Sequence, residues 1–181
     1  PRFDNRRVRF LSRQEAELLL KQLRKSSLLW YDIAVFALNS GLRRGEILAV
    51  TPAHIDLSAK SCNIFDTKTH VGRSVPLNGT AYDVARKYIA ISKNPSIPLF
   101  NIQGSPINPH SHIFRNAVKA CGFNIGVTDR RAQVCFHTLR HTFASWLVQA
   151  GIRLQVVAQL LGHTSLKMTL RYAHLAPDQG R

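Results

Sequence analysis

The stretch that decides the fold of this chain is His137-Thr138-Leu139-Arg140, followed by Leu161-Gly162-His163 and then by Arg171-Tyr172-Ala173-His174. Upstream, Gly41-Leu42-Arg43-Arg44-Gly45-Glu46 adds a second arginine block and a carboxylate. Together these blocks contain guanidinium groups, imidazoles and a phenol in a fixed order along the chain. Such groups bind and react with a phosphate ester, because a guanidinium holds two phosphate oxygens in its planar fork.

The net charge of the chain is strongly positive and favours a polyanionic partner. There are 25 Lys and Arg against 10 Asp and Glu, which gives a formal net charge of +15. That excess is typical of a protein that neutralises the phosphates of double-stranded DNA, although charge alone fits a generally basic surface equally well. With 181 residues, 45% of them hydrophobic, the chain is long enough for one domain with a substantial core. The motifs therefore decide between the two interpretations of the charge.

Cysteine spacing and hydropathy point to the cytoplasm. Cys62, Cys121 and Cys135 are odd in number and form no Cys-x-x-Cys pair, which favours neither a disulfide framework nor a zinc ribbon. The most apolar stretch, residues 28–38, is interrupted by Asp32 and is shorter than the roughly 20 residues of a membrane-spanning helix. We therefore predict a chain of the reducing cytoplasm with no membrane partner.

Capping signals and apolar periodicity predict the first helices. Ser12-Arg13-Gln14-Glu15 matches a capping box and opens a helix that runs to about residue 25. Residues 28–39 are apolar almost all round, as in a central helix, and Gly41 ends that helix. Arg43 then begins a short helix to about residue 50, and Thr51-Pro52 begins a single turn.

The remaining pattern adds a small sheet and further helices. Short β-rich runs between turn residues predict a three-stranded antiparallel sheet, and a helical period of apolar residues follows it. The predicted strands are residues 54–57, 61–65 and 73–77, and the predicted helices are residues 80–92, 108–120, 137–149, 154–161 and 165–172. The predicted fold is therefore mainly α with a small three-stranded antiparallel sheet, an α+β class.

The four blocks in this order resemble the catalytic domain of the tyrosine recombinases, the bacteriophage integrase family, from about residue 12 to residue 174. The resemblance implies that family's catalytic-domain fold, as a single domain over residues 1–181. Residues 1–10 would be a basic leader at the end of an interdomain linker, and residues 175–181 a C-terminal tail. We expect the family's separate N-terminal DNA-binding domain to lie outside this chain, so that site recognition by these residues alone should be poor.

Two arginines are the candidates for holding the phosphate. From the sequence of residues 41–46 alone, Arg43 could equally be a surface arginine beside Arg44. The resemblance selects Arg43 as catalytic and gives Glu46 a supporting role. Arg140 lies three residues after His137, so both share a helical face and can reach one phosphate.

The histidines allow two kinds of site. His137 and His163 can donate hydrogen bonds to phosphate oxygens, and His137 could also take the nucleophile's proton, since an ordinary imidazole pKa is about 6.5. His137 and His141 have the i, i+4 spacing of a zinc helix, but Thr138 stands where the glutamate of a metalloprotease would be. We therefore predict no metal and no other cofactor. The resemblance leaves His141 and His174 outside the catalytic set.

Tyr172 is the nucleophile that the resemblance implies. A phenol has an ordinary pKa of about 10, so it attacks well only where a base and nearby cations favour the phenolate. An isolated tyrosine in this position would be a packing aromatic beside Leu170, and the motif reverses that preference. Tyr31, Tyr82 and Tyr88 lie in apolar helical patterns and are core candidates.

Lys68 completes the implied catalytic set. It lies between the second and third predicted strands and matches the family's hairpin lysine, which acts as general acid to the leaving 5′ hydroxyl. A lysine on a loop tip is usually only solvated, and Arg73 is a nearby competitor for the role.

The resemblance implies a site-specific DNA recombinase or integrase that works without metal or ATP. Tyr172 would form a 3′-phosphotyrosine intermediate, from which strands are rejoined to integrate or excise a mobile element in a bacterial or phage-infected cell. The implied partners are four protomers on two DNA sites, with accessory DNA-bending proteins. The alternatives are a topoisomerase-like strand transferase, a metal-dependent hydrolase and a non-catalytic DNA-binding module.

Overall fold

The computed structural model describes residues 9–65, 72–109 and 111–177, which form helices and two small antiparallel sheets. The helices are α1 (Arg13–Ser26), α2 (Leu28–Ser40), α3 (Arg44–Ala49), α4 (Gly79–Ile91), α5 (Ile113–Ala120), α6 (Phe136–Gln149) and α7 (Leu154–Leu161). The strands are β1 (Ile55–Asp56), β2 (Ser61–Phe65), β3 (Gly72–Pro76), β4 (Asn101–Ile102) and β5 (Ser105–Pro106). Short 3₁₀ helices are found at Pro52–His54, Leu166–Met168 and Leu170–Leu175. This mainly helical architecture with small antiparallel sheets confirms the predicted fold class.

The first helix begins at the capping box. The Ser12 hydroxyl accepts the backbone N–H of Glu15 at 3.1 Å, and the Glu15 carboxylate accepts the backbone N–H of Ser12 at 2.9 Å. These bonds satisfy two donors that a helix start otherwise leaves open. The buried side chains of Leu19 and Leu23 lie on one face of α1, which packs against α2 and α5.

The segment before α1 is fastened to α6. The backbone N–H of Leu11 donates to Thr142 Oγ1 at 2.9 Å, and the indole N–H of Trp146 donates to the Leu11 carbonyl at 3.1 Å. The Arg13 guanidinium lies 3.7 Å from the centroid of the Trp146 ring, which is a cation–π contact. The chain therefore enters the domain along α6, the helix that carries His137 and Arg140.

Helix α2 is the centre of the core and packs against α1, α4 and α6. Like every other helix in the described ranges, it is not long and apolar enough to cross a membrane. Its buried Asp32 carboxylate accepts hydrogen bonds from Lys87 Nζ at 2.6 Å and Tyr88 Oη at 2.9 Å. These bonds compensate for the loss of water around the buried carboxylate. Of the predicted core tyrosines, Tyr88 is buried, whereas Tyr31 and Tyr82 are half-buried.

The predicted sheet is present with the strand order β1-β2-β3, and both pairs are antiparallel. Cys62 on β2 lies opposite Val75 on β3, and both side chains are fully buried. The register therefore turns one face of the hairpin toward the helices. Lys68, predicted in the loop between these two strands, lies outside the described residues.

Two predicted helices are wrong in part. The helix expected from residue 108 begins only at Ile113, because the buried Ile107 and a turn closed by the Ser111 N–H on the Asn108 carbonyl keep the chain out of a helix there. The helix expected over residues 165–172 is instead divided into 3₁₀ helices at the buried Thr169. The β4–β5 hairpin was not predicted at all, since each of its strands has only two residues.

Replacing Gly41 with alanine should destabilise the domain strongly. Gly41 ends α2 with a left-handed backbone at φ +64°, and a Cβ there would lie 2.3 Å from Cδ1 of Phe143 on α6. The left-handed conformation and the steric overlap together should cost about 2 to 5 kcal/mol of unfolding free energy, measured by urea unfolding. The control is Gly79→Ala at the start of α4, where a Cβ meets nothing within 4 Å. Equal stability of the two variants would contradict the close approach of α2 and α6.

Candidate active site

Arg140 is a buried guanidinium that joins three helices. It lies on α6 with 4% of its surface exposed. Its Nη1 donates to the carbonyl of Gly41, the C-cap of α2, at 2.8 Å, and its Nη2 donates to the carbonyl of Leu161, the last residue of α7, at 2.6 Å. Helix C-termini leave carbonyls without partners and carry partial negative charge, so both ends favour a cation. The motif blocks around residues 41, 140 and 161 are therefore brought together by one side chain.

The same guanidinium stays charged despite its burial. Burial, and then the positive charge of Arg43, lowers the pKa of Arg140 to about 10. That value is still well above neutral pH. Only two of the five N–H donors of a guanidinium are used by the two carbonyls, which leaves donors for an incoming oxyanion.

Glu46 holds two arginines at the start of α3. Its carboxylate accepts hydrogen bonds from the Arg43 backbone N–H at 2.7 Å, from Arg43 Nη1 at 3.0 Å and from Arg73 Nη2 at 2.8 Å. Burial opposes ionisation of the carboxyl, but the hydrogen bonds from Arg73 and from the Arg43 backbone outweigh it and lower the pKa of Glu46. An ionised Glu46 thus fixes the position of Arg43, and its supporting role in the reaction stays a prediction.

Arg73 extends from β3 onto the backbone of Gly162. A Cβ on Gly162 would lie 2.7 Å from Arg73 Nε and 2.9 Å from its Cζ, so only glycine allows this contact. Gly162 also has φ +63°, a conformation that glycine adopts readily. The Nε of Arg73 is buried and has no hydrogen-bond partner within the described part of the chain. A glycine at position 162 is therefore required for the Arg73 side chain to lie this close to the backbone.

His163 is a neutral imidazole among arginines. Its Nδ1 lies 2.8 Å from the hydroxyl of the buried Thr169, which fixes the ring. Burial, and then the charges of Arg140 and Arg43, lowers the pKa of His163 to about 4. At neutral pH this imidazole has one N–H to donate and is a weak base.

Tyr172 is a buried phenol in contact with a second histidine. It lies in the 3₁₀ helix Leu170–Leu175 and is 6% exposed, and its Oη is 2.5 Å from Nδ1 of His141. The ring of His137 stands nearly perpendicular to that of His141, with 4.6 Å between centroids. Burial raises the pKa of Tyr172 to about 12, although the charges of Arg171 and Arg140 act in the opposite direction. The phenol is therefore protonated until a base removes its proton.

The structure brings most of the predicted site residues together. Arg140 lies close enough to Arg43, Glu46 and Tyr172 for their charged forms to shift its pKa, and His163 lies within the field of Arg140 and Arg43. His137 joins the group through its ring contact with His141. Beside His137 and His141, no third His, Cys, Asp or Glu completes a metal-binding group in the described ranges.

Sequence reasoning missed the importance of Arg73 and His141. Arg73 alternates with Val75 and Leu77, both buried, so a strand period of two would have placed it on the inner face of the sheet. His141 lies one helical turn after His137 and was considered only as a zinc ligand. The same spacing could have indicated that the two rings lie on one face of the helix.

The family model, the similar sequences and the similar structures all point to the same protein family. Residues 9–179 match the model of the phage integrase family. The integrase of Salmonella phage P22 is 33% identical over 98% of this chain and 46% of its own length, and the shufflon-specific DNA recombinase of Escherichia coli is 30% identical over 97% and 42%. The chain thus spans about half the length of these curated relatives. The catalytic domain of bacteriophage HP1 integrase has a TM-score of 0.72 and 27% identity, covering 94% of this chain and 89% of that domain.

Replacing Gly162 with alanine should separate Arg73 from Glu46. The new methyl group overlaps a guanidinium at the end of a flexible side chain, which moves away at little extra cost. Without the Arg73 hydrogen bond, the pKa of Glu46 should rise toward its ordinary value, as followed by carboxyl-carbon NMR.

The matched control for this variant is Gly151→Ala. Gly151 has φ +81°, but a Cβ there meets nothing within 4 Å. Both variants should lose about 1 to 2 kcal/mol of stability from the left-handed backbone, whereas only Gly162→Ala should change the Glu46 titration. An unchanged titration would show that Arg73 does not depend on the glycine.

Proposed function

The chain belongs to the phage integrase family, and on that premise we propose that it is the catalytic domain of a site-specific DNA recombinase. Its substrate is double-stranded DNA, which it cleaves and rejoins to integrate or excise a mobile element. The names of its relatives support this activity, since they include a phage integrase and a shufflon-specific DNA recombinase. The net charge of +15 supports binding to a polyanion.

The observation that carries the proposal is the convergence of cationic side chains on a buried phenol. Arg43 and Arg140 come from separate blocks, and each is held by hydrogen bonds to other groups of the protein. Tyr172 lies within the electrostatic field of Arg140. Preorganised positive charge beside a nucleophile is the arrangement that stabilises the transition state of phosphoryl transfer.

In the proposed reaction Tyr172 Oη attacks the scissile phosphorus. A bond forms between Oη and phosphorus, the bond to the 5′ oxygen breaks, and a 3′-phosphotyrosine remains with a free 5′ hydroxyl. Arg43 and Arg140 neutralise the non-bridging oxygens, and His163 and His137 donate hydrogen bonds to them. Lys68, which lies outside the described residues, protonates the leaving 5′ oxygen. Rejoining is the reverse reaction and needs neither ATP nor a metal ion.

The assembly and its setting follow from the same proposal. Four protomers act on two DNA sites, with accessory DNA-bending proteins, in the cytoplasm of a bacterial or phage-infected cell. The other candidate functions differ in measurable ways. A metal-dependent hydrolase loses cleavage in excess chelator, a DNA-binding module never forms a covalent adduct, and a topoisomerase relaxes supercoils without exchanging strands between two sites.

Tyr172→Phe should abolish covalent protein–DNA adducts and leave DNA binding nearly intact. Only the nucleophilic oxygen is lost, while the arginines that contact phosphate remain. Adducts are trapped with a nicked suicide duplex and resolved on a denaturing gel, with chelator present throughout. Tyr82→Phe, which removes a hydroxyl from a half-buried tyrosine on α4, is the control and should cleave normally. Adducts that persist in Tyr172→Phe would refute the assignment of the nucleophile.

DNA binding should weaken steeply with salt. Each phosphate neutralised by the protein contributes a slope of about −0.9 to the dependence of log affinity on log salt. Arg43→Gln should therefore make the slope less negative by about 0.9, as measured by fluorescence anisotropy. Arg86→Gln, an exposed residue on α4 that pairs with Asp83, should leave the slope unchanged. A flat salt response of the unsubstituted chain would contradict phosphate binding.

A further inference from the structure

The proton of Tyr172 must leave as the phenol attacks, and the structure shows which atom lies against it. His141 Nδ1 is 2.5 Å from Tyr172 Oη, within hydrogen-bonding distance. We propose that His141 is a catalytic residue of this site and takes the phenolic proton from Tyr172 during strand cleavage. The proposal rests on the proposed function, since it assigns the base for that nucleophile.

The nucleophile needs a base in the protein. At 6% exposure the Tyr172 side chain is largely closed to solvent, so bulk hydroxide has little access to its hydroxyl. General bases also raise the rate of such steps by about 10² to 10⁴-fold when they lie within hydrogen-bond reach of the proton. His141 Nδ1 meets that geometric condition.

The other two histidines of the site fit the role less well. The Nδ1 of His163 is directed to Thr169, and burial, followed by the charges of the surrounding arginines, lowers its pKa and makes it a weak base. His137 is exposed, and its ring meets the ring of His141 nearly at right angles. Because it is exposed, His137 can donate a hydrogen bond to an incoming phosphate, which is the first of the two roles predicted for it from the sequence. The proton-accepting role then moves from His137 to His141.

The contact between His141 and Tyr172 is held from both sides. His141 is buried on α6 next to Arg140, whose two carbonyl contacts fix that part of the helix. The ring of Tyr172 belongs to a buried apolar cluster with Ala144, Val148, Val157 and Leu161. Because α6 supplies both the base and part of this cluster, the phenol and the imidazole keep their spacing as a unit.

The step balances with groups already assigned. As the bond from Oη to phosphorus forms and the bond to the 5′ oxygen breaks, the phenolic proton moves to His141 Nδ1. This requires the neutral tautomer with its proton on Nε2. The 5′ oxygen receives a different proton from the general acid. During rejoining, His141 returns its proton to Tyr172 Oη as the phenol departs.

The first test is His141→Asn in single-turnover cleavage of the suicide duplex. The asparagine amide can still accept a hydrogen bond near the position of Nδ1, but it is not basic. We expect cleavage to slow by about 10²-fold or more, with DNA affinity unchanged. His174→Asn, an exposed histidine on the same 3₁₀ helix as Tyr172, is the matched control and should cleave normally. Cleavage by His141→Asn at the unsubstituted rate would overturn the proposal.

A modified substrate separates a base from an acid. A duplex with sulfur in place of the bridging 5′ oxygen has a leaving group that needs no protonation. It should restore cleavage to a variant that lacks the general acid, for which Lys68→Ala is the reference, and should leave His141→Asn slow. Restoration of His141→Asn by the sulfur substrate would show that His141 serves the leaving group instead.

A second measurement keeps His141 in place, in case the asparagine variant does not fold. A fluorinated tyrosine introduced at position 172 has a lower phenol pKa, which raises the phenolate fraction about tenfold per unit. If His141 takes the proton during attack, the cleavage rate should change by less than about threefold. A rate that rises in step with the phenolate fraction would mean that the proton leaves before attack, and would overturn the proposal.

Failure of this inference is distinct from failure of the proposed function. Adduct formation by Tyr172→Phe refutes the nucleophile and with it the whole reaction. Loss of adducts in Tyr172→Phe, together with normal cleavage by His141→Asn, refutes only the base.

Discussion

The site depends on one guanidinium buried between two helix ends. Arg140 donates to the Gly41 carbonyl at the end of α2 and to the Leu161 carbonyl at the end of α7. Each carbonyl lies at the end of its helix, where no further turn supplies an N–H donor. A buried guanidinium in turn needs hydrogen-bond acceptors, so Arg140 and the two carbonyls satisfy each other. Three motif blocks that are far apart in sequence therefore meet only when α2, α6 and α7 are all in place. The arrangement of these side chains is a consequence of completed folding, and the two carbonyls orient the arginine.

Local signals in the sequence predicted most of the fold, and the errors share a physical cause. The capping box at Ser12, the end of α2 at Gly41 and the three strands depend on neighbouring residues, and all are present. The start of α5 and the 3₁₀ turns around Thr169 depend on tertiary contacts, which no local pattern contains. Ile107 is buried before α5, and Thr169 bonds His163 where a regular helix was expected to continue. A segment whose conformation is set by distant partners is the kind that periodicity cannot predict.

The candidate site was predictable as a set of blocks but not as a network. The order of Arg43, Arg140, His163 and Tyr172 was sufficient to expect their convergence, and the structure places them within each other's electrostatic influence. The contacts that orient them were not visible in the same way, because each joins residues far apart in the chain. Arg73 reaches Glu46 from another element, and His141 reaches Tyr172 across 31 residues. A sequence motif indicates which side chains belong to the site, whereas the hydrogen bonds between distant residues determine how each side chain is oriented.

The fastening of Leu11 to α6 has a mechanical consequence. Its N–H is bonded to Thr142, the residue that follows His141, and its carbonyl is bonded to Trp146 one turn later. Tension applied to the chain ahead of Leu11 would therefore be transmitted as a pull along α6, within one turn of the imidazole that touches Tyr172. Helix α6 would then transmit a displacement of Leu11 to the contact between His141 and Tyr172. Because Leu11 is itself fully buried in the core, such a displacement would disturb the core and that contact together.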